Sequence, residues 1–109
     1  MRELTDANFE QEVVQAQTPV VVDFWAPWCG PCRAVEPVLA QLEAEHGDRV
    51  RFGKLDVDAN LVTASRYEVL SIPTVILFES GEPRETVVGA RARSHYEQAW
   101  ARWLTTETR

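Results

Sequence analysis

Cys29 and Cys32 are the only cysteines in the chain, three positions apart in "WAPWCGPC" behind Trp25 and Trp28. Such a pair can carry redox chemistry, supply half of a metal site, or staple a turn. A structural zinc site needs four ligands, and beyond the two cysteines the chain has only the distant His46 and His95. A staple closing so small a ring would contribute roughly 2 kcal/mol before strain is subtracted, which suits a bond that is made and broken. Redox work is the reading these residues favour, with a metal site or an inert pair as the alternatives.

Asp23 is the second residue that invites chemistry. It interrupts the apolar run "VVVDFW". An unpaired carboxylate buried in a strand is costly, so it is expected to be neutral, paired or functional. Lys54 in "GKLDV" is a candidate partner if its strand lies beside "VVVDFWA". That pairing would make Asp23 structural. The other reading is a proton acceptor with a raised pKa, serving Cys32 as a resolving thiol. The placement of Asp23 six residues before Cys29 favours it. Pro73 in "SIPT" precedes an apolar strand, where on physical grounds alone an ordinary trans proline is expected.

The elements that must hold these residues follow from periodicity. "TDANFEQEVVQAQ" reads as a helix capped by Thr5 or Asp6, with Phe9, Val13 and Val14 on one face. "PVVVDFWA" reads as a central strand buried on both faces. From Cys29 to His46, Val35, Val38, Leu39 and Leu42 recur at helical spacing, and Gly47 marks the stop. Cys29 is therefore expected to occupy or adjoin the N-cap of that helix. Gly30 and Pro31 fill its first turn, and free N–H groups there favour a thiolate. Cys32 lies one turn further in, so Cys29 is expected to be exposed and Cys32 inward.

"RVRFGKLDV" reads as a strand and "ANLVTASRYEV" as a short helix. "PTVILFE" and "ETVVGA" form a hairpin across Ser80-Gly81. Ser94 is expected to cap a last helix with Tyr96, Ala99, Trp100, Trp103 and Leu104 on its apolar face. Strands alternating with helices, then a hairpin, imply a mixed sheet with helices on both faces.

Composition bounds the function. The 109 residues suit one domain, 1–109, and 45 % apolar content argues against disorder. A net charge of −6 argues against nucleic acid or an anionic membrane as partner. "MRELTDANFE" lacks the apolar core of a signal peptide, and no apolar run nears the ~20 residues that span a bilayer. A cytoplasmic location is expected, where a lone cysteine pair is more often catalytic or metal-binding than structural.

"WCGPC" with an Asp six residues upstream, "KLD" 25 residues after Cys29, "SIPT", the "SGE" turn and "VVGA" together resemble the thioredoxin family in order and spacing, over essentially the whole chain. The resemblance implies an α/β thioredoxin fold, a five-stranded mixed central sheet flanked by four helices, and a general protein disulfide reductase. It makes Cys29 the nucleophile, Cys32 the resolving thiol, Asp23 the buried base and Lys54 its tuning partner. It also implies a cis Ile72–Pro73 bond, against the base rate. Trp28, Gly30, Pro31, Ile72, Pro73 and Gly89 would line a shallow substrate groove.

No bound cofactor is implied beyond a redox-active Cys29–Cys32 disulfide. The implied partners are disulfide-containing client proteins and a thioredoxin reductase drawing on NADPH, with the chain a monomer. Gly30-Pro31 resembles the reducing members, whereas a His there typifies oxidants. The departures are Ser71 where many members have Gly, and Arg33 where many have Lys. A non-catalytic binding subunit or chaperone on the same fold is the rival reading.

Overall fold

The computed structural model describes residues 1–105. Its centre is β2 (Val20–Trp25), in which only Trp25 is not fully buried. β3 (Arg51–Asp56) pairs with it in parallel on one side, and β4 (Thr74–Glu79) pairs antiparallel on the other. β1 (Arg2–Leu4) extends the sheet beyond β3, and β5 (Glu82–Val88) extends it beyond β4, giving the order β1-β3-β2-β4-β5. This is the mixed five-stranded sheet expected. A β-branched, apolar run has no polar side to offer water, so it takes the position covered on both faces.

The alternation along β2 sorts the core. Val20, Val22 and Phe24 face one side, with Leu4, Phe9, Val13, Leu55, Ile76 and Phe78. Val21 faces the other, with Phe52, Val75 and Leu77 against α1 (Gly30–His46), which contributes Val35, Leu39 and Leu42. Asp23 shares the parity of Val21, so the carboxylate points to the α1 side. The second helix, α2 (Leu61–Arg66), turns Thr63 and Ala64 inward.

Two helical segments differ from expectation. The first is a single π-helical turn, Glu10–Val14, closed by Gln15 N–H donating to the Glu10 carbonyl at 2.9 Å. Ahead of it, Thr5 and Asn8 bond each other's backbone reciprocally, at 2.8 and 3.1 Å, and consume the residues meant to start a longer helix. Phe9 and Val13 are buried as expected.

The last helix begins at Arg93, after an extended Ala92, so Ser94 lies inside its first turn and does not cap it. It breaks at Trp100 (φ −110°, ψ 14°) into α3 (Arg93–Ala99) and α4 (Ala101–Leu104). The ladder bridges the break, with Trp100 N–H on the Tyr96 carbonyl at 2.9 Å and Leu104 N–H on that of Trp100 at 3.0 Å. Tyr96 and Trp100 are wholly buried beside α1, and Trp103 packs against the same cluster. Counting the π-helical turn, α1, α2 and the broken α3–α4 pair, four helical segments flank the sheet among the described residues.

The β4–β5 turn has Ser80 at φ 55° and Gly81 at φ 79°. Two positive φ values make the tight turn whose twist matches paired strands. A Cβ on Gly81 would also lie 2.8 Å from the Val14 carbonyl oxygen, so glycine is required there on both counts. The pairing shifts register between Leu77 and Phe78, and β5 leaves six of its seven residues exposed. Among the described residues, no helix is long and apolar enough to cross a membrane.

Candidate functional site

The chain leaves β2 at Trp25, turns through Ala26-Pro27-Trp28 and enters α1. Cys29 is the N-cap of α1 in an extended conformation (φ −87°, ψ 109°), and its Sγ accepts the Cys32 N–H at 3.2 Å. The residue that opens the helix thus places its sulfur on a backbone donor that has no intrahelical partner. Cys29 and Cys32 are joined as a disulfide, with Cα atoms 5.3 Å apart.

Both cysteines are only 3 % exposed, which corrects the expectation of an open Cys29. Ala26, Val57 and Ile72 close around the pair. What separates the two residues is access to the surface groove. Cys29 lines a groove at the surface, and Cys32 does not.

That groove encloses about 520 Å³ and is bounded by Trp28, Cys29, Gly30 and Pro31 on one side, and by Val57 and Val69 through Ile72 on the other. Four expected lining residues are present: Trp28, Gly30, Pro31 and Ile72. Two are not. Pro73 is buried behind Ile72, and Gly89 is held to it by a backbone hydrogen bond from its N–H to the Pro73 carbonyl at 2.8 Å. Gly89 has φ 88°, with open space where a Cβ would sit. The Ile72–Pro73 peptide bond is cis, as the resemblance implied.

The groove also contains residues sequence reasoning passed over. Leu70 is 95 % exposed, an unusual position for leucine and a mark of a contact surface. Its signal was an apolar leucine directly after the predicted helix "ANLVTASRYEV" and before Ser71. Trp28, 68 % exposed, is fixed by its indole N–H donating to Asp58 Oδ2 at 2.6 Å. Asp58 carried no sequence signal at all.

Asp23 sits in register between Lys54 of β3 and Val75 of β4. It is 2 % exposed, and its Oδ1 has no hydrogen-bond partner among the described residues. Burial pushes its pKa up from 3.8 to about 7; the Glu36 charge adds to the rise and Lys54 opposes it. The expected Asp23–Lys54 pair is not formed. Lys54 Nζ instead binds Glu36 Oε2 at 3.0 Å and lies 4.9 Å from the centroid of the Trp25 ring. His46 and His95 do not join the cysteines, and among the described residues no group of three or more His, Cys, Asp or Glu side chains could hold a metal ion.

The arrangement suits exchange between a dithiol and a disulfide. It offers a cysteine pair at disulfide distance, an apolar groove at one of the two residues, and on the same strand–helix unit a carboxyl able to take a proton near neutral pH.

Comparison with known proteins points the same way. The thioredoxin family model matches residues 1–102. Thioredoxin 1 of Synechococcus elongatus is 49 % identical over 87 residues, covering 80 % of this chain and 81 % of its own. The thioredoxin of Alicyclobacillus acidocaldarius is 48 % identical over 94 residues, 86 % of this chain and 89 % of its own. A bifunctional thioredoxin reductase/thioredoxin of Mycobacterium leprae is 47 % identical over 92 residues, 84 % of this chain and 20 % of that protein.

Proposed function

The chain belongs to the thioredoxin family and is a dithiol–disulfide exchange reductase; from that premise we propose that Cys29 attacks and Cys32 resolves. The observation that carries this division is that Cys29 lines the groove and its sulfur receives the Cys32 N–H at the helix N-terminus, whereas Cys32 is not among the groove's lining residues. In the reduced protein, the Cys29 thiolate displaces one sulfur of a client disulfide, which leaves as a thiolate. A mixed disulfide remains on Cys29. The Cys32 thiol then gives its proton to Asp23, and its sulfur attacks Cys29 Sγ. The second client sulfur leaves as a thiolate, and the Cys29–Cys32 bond closes.

The groove around Trp28, Gly30, Pro31 and Ile72 receives the client as an extended chain. Its wide, apolar shape favours many clients over one. Pro73 and Gly89 act behind it, setting the position of Ile72 through their shared hydrogen bond. Electrons come from a thioredoxin reductase using NADPH, with no bound cofactor in this chain. The M. leprae relative supports that supply, since its name joins the two activities. A single domain, monomeric and cytoplasmic, completes the reading.

Covalent trapping tests it. Cys32→Ser is expected to accumulate client proteins linked to Cys29, releasable by reductant. A trap forming on Cys32 in Cys29→Ser would reverse the assignment. If Cys29→Ser retains full function with its partners, the chain serves as a binding subunit and not as a reductant.

A further inference from the structure

The side chain beside Asp23 poses a question. Asp23 and Lys54 are in-register neighbours on parallel strands, so both side chains leave the same face of the sheet. Strands are about 4.8 Å apart, well within reach of an ion pair. A buried carboxylate with a lysine at that distance is ordinarily neutralised by it. Here it is not. The ammonium turns outward to Glu36 and lies over the Trp25 ring.

Glu36 stands on α1 four residues after Cys32, one helical turn along the same face. The Glu36 side chain is 46 % exposed and that of Lys54 28 %, so their pair forms at the partly solvated rim. A lysine that keeps some hydration there avoids the desolvation that a contact with Asp23 would require.

We propose that Glu36 is a positioning residue for the exchange reaction: it holds the Lys54 ammonium at the rim and so keeps the buried Asp23 carboxyl free of an ion-pair partner. This rests on the reading of Asp23 as the base for Cys32. The titratable groups whose charges couple to Asp23 are Glu36 from α1, Lys54 from β3, and the Tyr96 phenol from α3. β4 contributes the apolar Val75. Of these, Glu36 is the one that both adds negative charge and captures the only cation. Without it, Lys54 falls back on Asp23, which ionises more readily and becomes a weaker base.

Two measurements separate this claim from the one beneath it. The first is a carbon NMR titration of the Asp23 carboxyl in the oxidised protein, for wild type, Glu36→Ala, Lys54→Met and the double variant. Glu36→Ala is expected to lower the midpoint by about one pH unit, and Lys54→Met to raise it. In the Lys54→Met background, Glu36→Ala is expected to lose most of its effect. A midpoint unmoved by Glu36→Ala, or an undiminished effect without Lys54, overturns the proposal.

The second is the pH profile of mixed-disulfide resolution. Glu36→Ala is expected to move its rise to lower pH and to reduce its plateau severalfold. If Asp23→Asn leaves that profile untouched, the base reading fails, and the NMR midpoint still decides whether Glu36 controls Asp23. If Asp23→Asn flattens the profile and Glu36→Ala does not move it, the base reading stands and the role of Glu36 falls.

Discussion

Two aspartates in this molecule have opposite circumstances. Asp6 is at the surface beside the start of α2, and it is well supplied with donors. Its Oδ1 accepts the Thr63 N–H at 2.9 Å and the Thr63 hydroxyl at 2.7 Å, and its Oδ2 accepts the Val62 N–H at 3.4 Å. Asp23 is buried in the middle of β2, and its Oδ1 has none. Partial desolvation works to raise the Asp6 pKa, but the hydrogen bonds from Thr63 and Val62 outweigh it and hold the carboxyl below its ordinary value. Burial drives Asp23 to about 7. A carboxylate with its bonds made is scaffold. One left without them is poised to exchange a proton.

The signs of the two contributions to stability are therefore opposite. Asp23 binds its proton more tightly folded than unfolded, so its contribution is fully present below about pH 4 and lost as pH rises through about 7. Asp6 binds its proton less tightly folded, so its contribution is present at neutral pH and lost as pH falls through its lowered value.

The largest expected effect lies at Asp23. The rise from 3.8 to about 7 corresponds to roughly 4 kcal/mol of cost for the ionised form. Asp23→Ala is thus expected to be more stable than wild type at pH 8, by up to that order, and to lose the advantage at pH 4. Denaturant unfolding at the two pH values checks this, and an equal effect at both would remove the contrast with Asp6. Next in size, Asp23→Asn is expected to slow mixed-disulfide resolution at pH 7 by about a hundredfold while leaving the first attack nearly unchanged. Rapid-quench kinetics of the two steps measures it, and equal slowing of both would break the assignment. Smallest is Asp6→Ala, expected to cost about 1 kcal/mol at pH 7 as a lost helix cap, fading in acid, with exchange rates unaltered. A marked fall in exchange rate would show that this region is not mere scaffold.

Much of this was legible in the chain. A strand buried on both faces, a glycine-proline helix entry and a carboxylate out of place are local patterns, and they located β2, Cys29, Cys32 and Asp23. The partners of the two aspartates were not legible, because they are made by tertiary contact. Asp6 bonds the first turn of a helix 57 residues away, at Thr63, while Asn60, which precedes that helix, accepts the Asp6 N–H on its side-chain Oδ1. Glu36 reads in sequence as one more acidic residue on a helix surface, and only the packing of α1 beside β3 brings it to Lys54. The break at Trp100 has the same origin, since the indole is wholly enclosed and the helix adjusts to it.

The exposed edge at β5 bears on how the molecule behaves in company. An unpaired strand invites other strands, and so does a groove built to seat extended chains. β5 answers with Glu82, Pro83, Arg84 and Glu85 in succession and a register shift opposite them, while the edge at β1 is three residues long. Both borders are therefore poor templates for strand pairing. That leaves the capture of extended chains to the groove at Cys29.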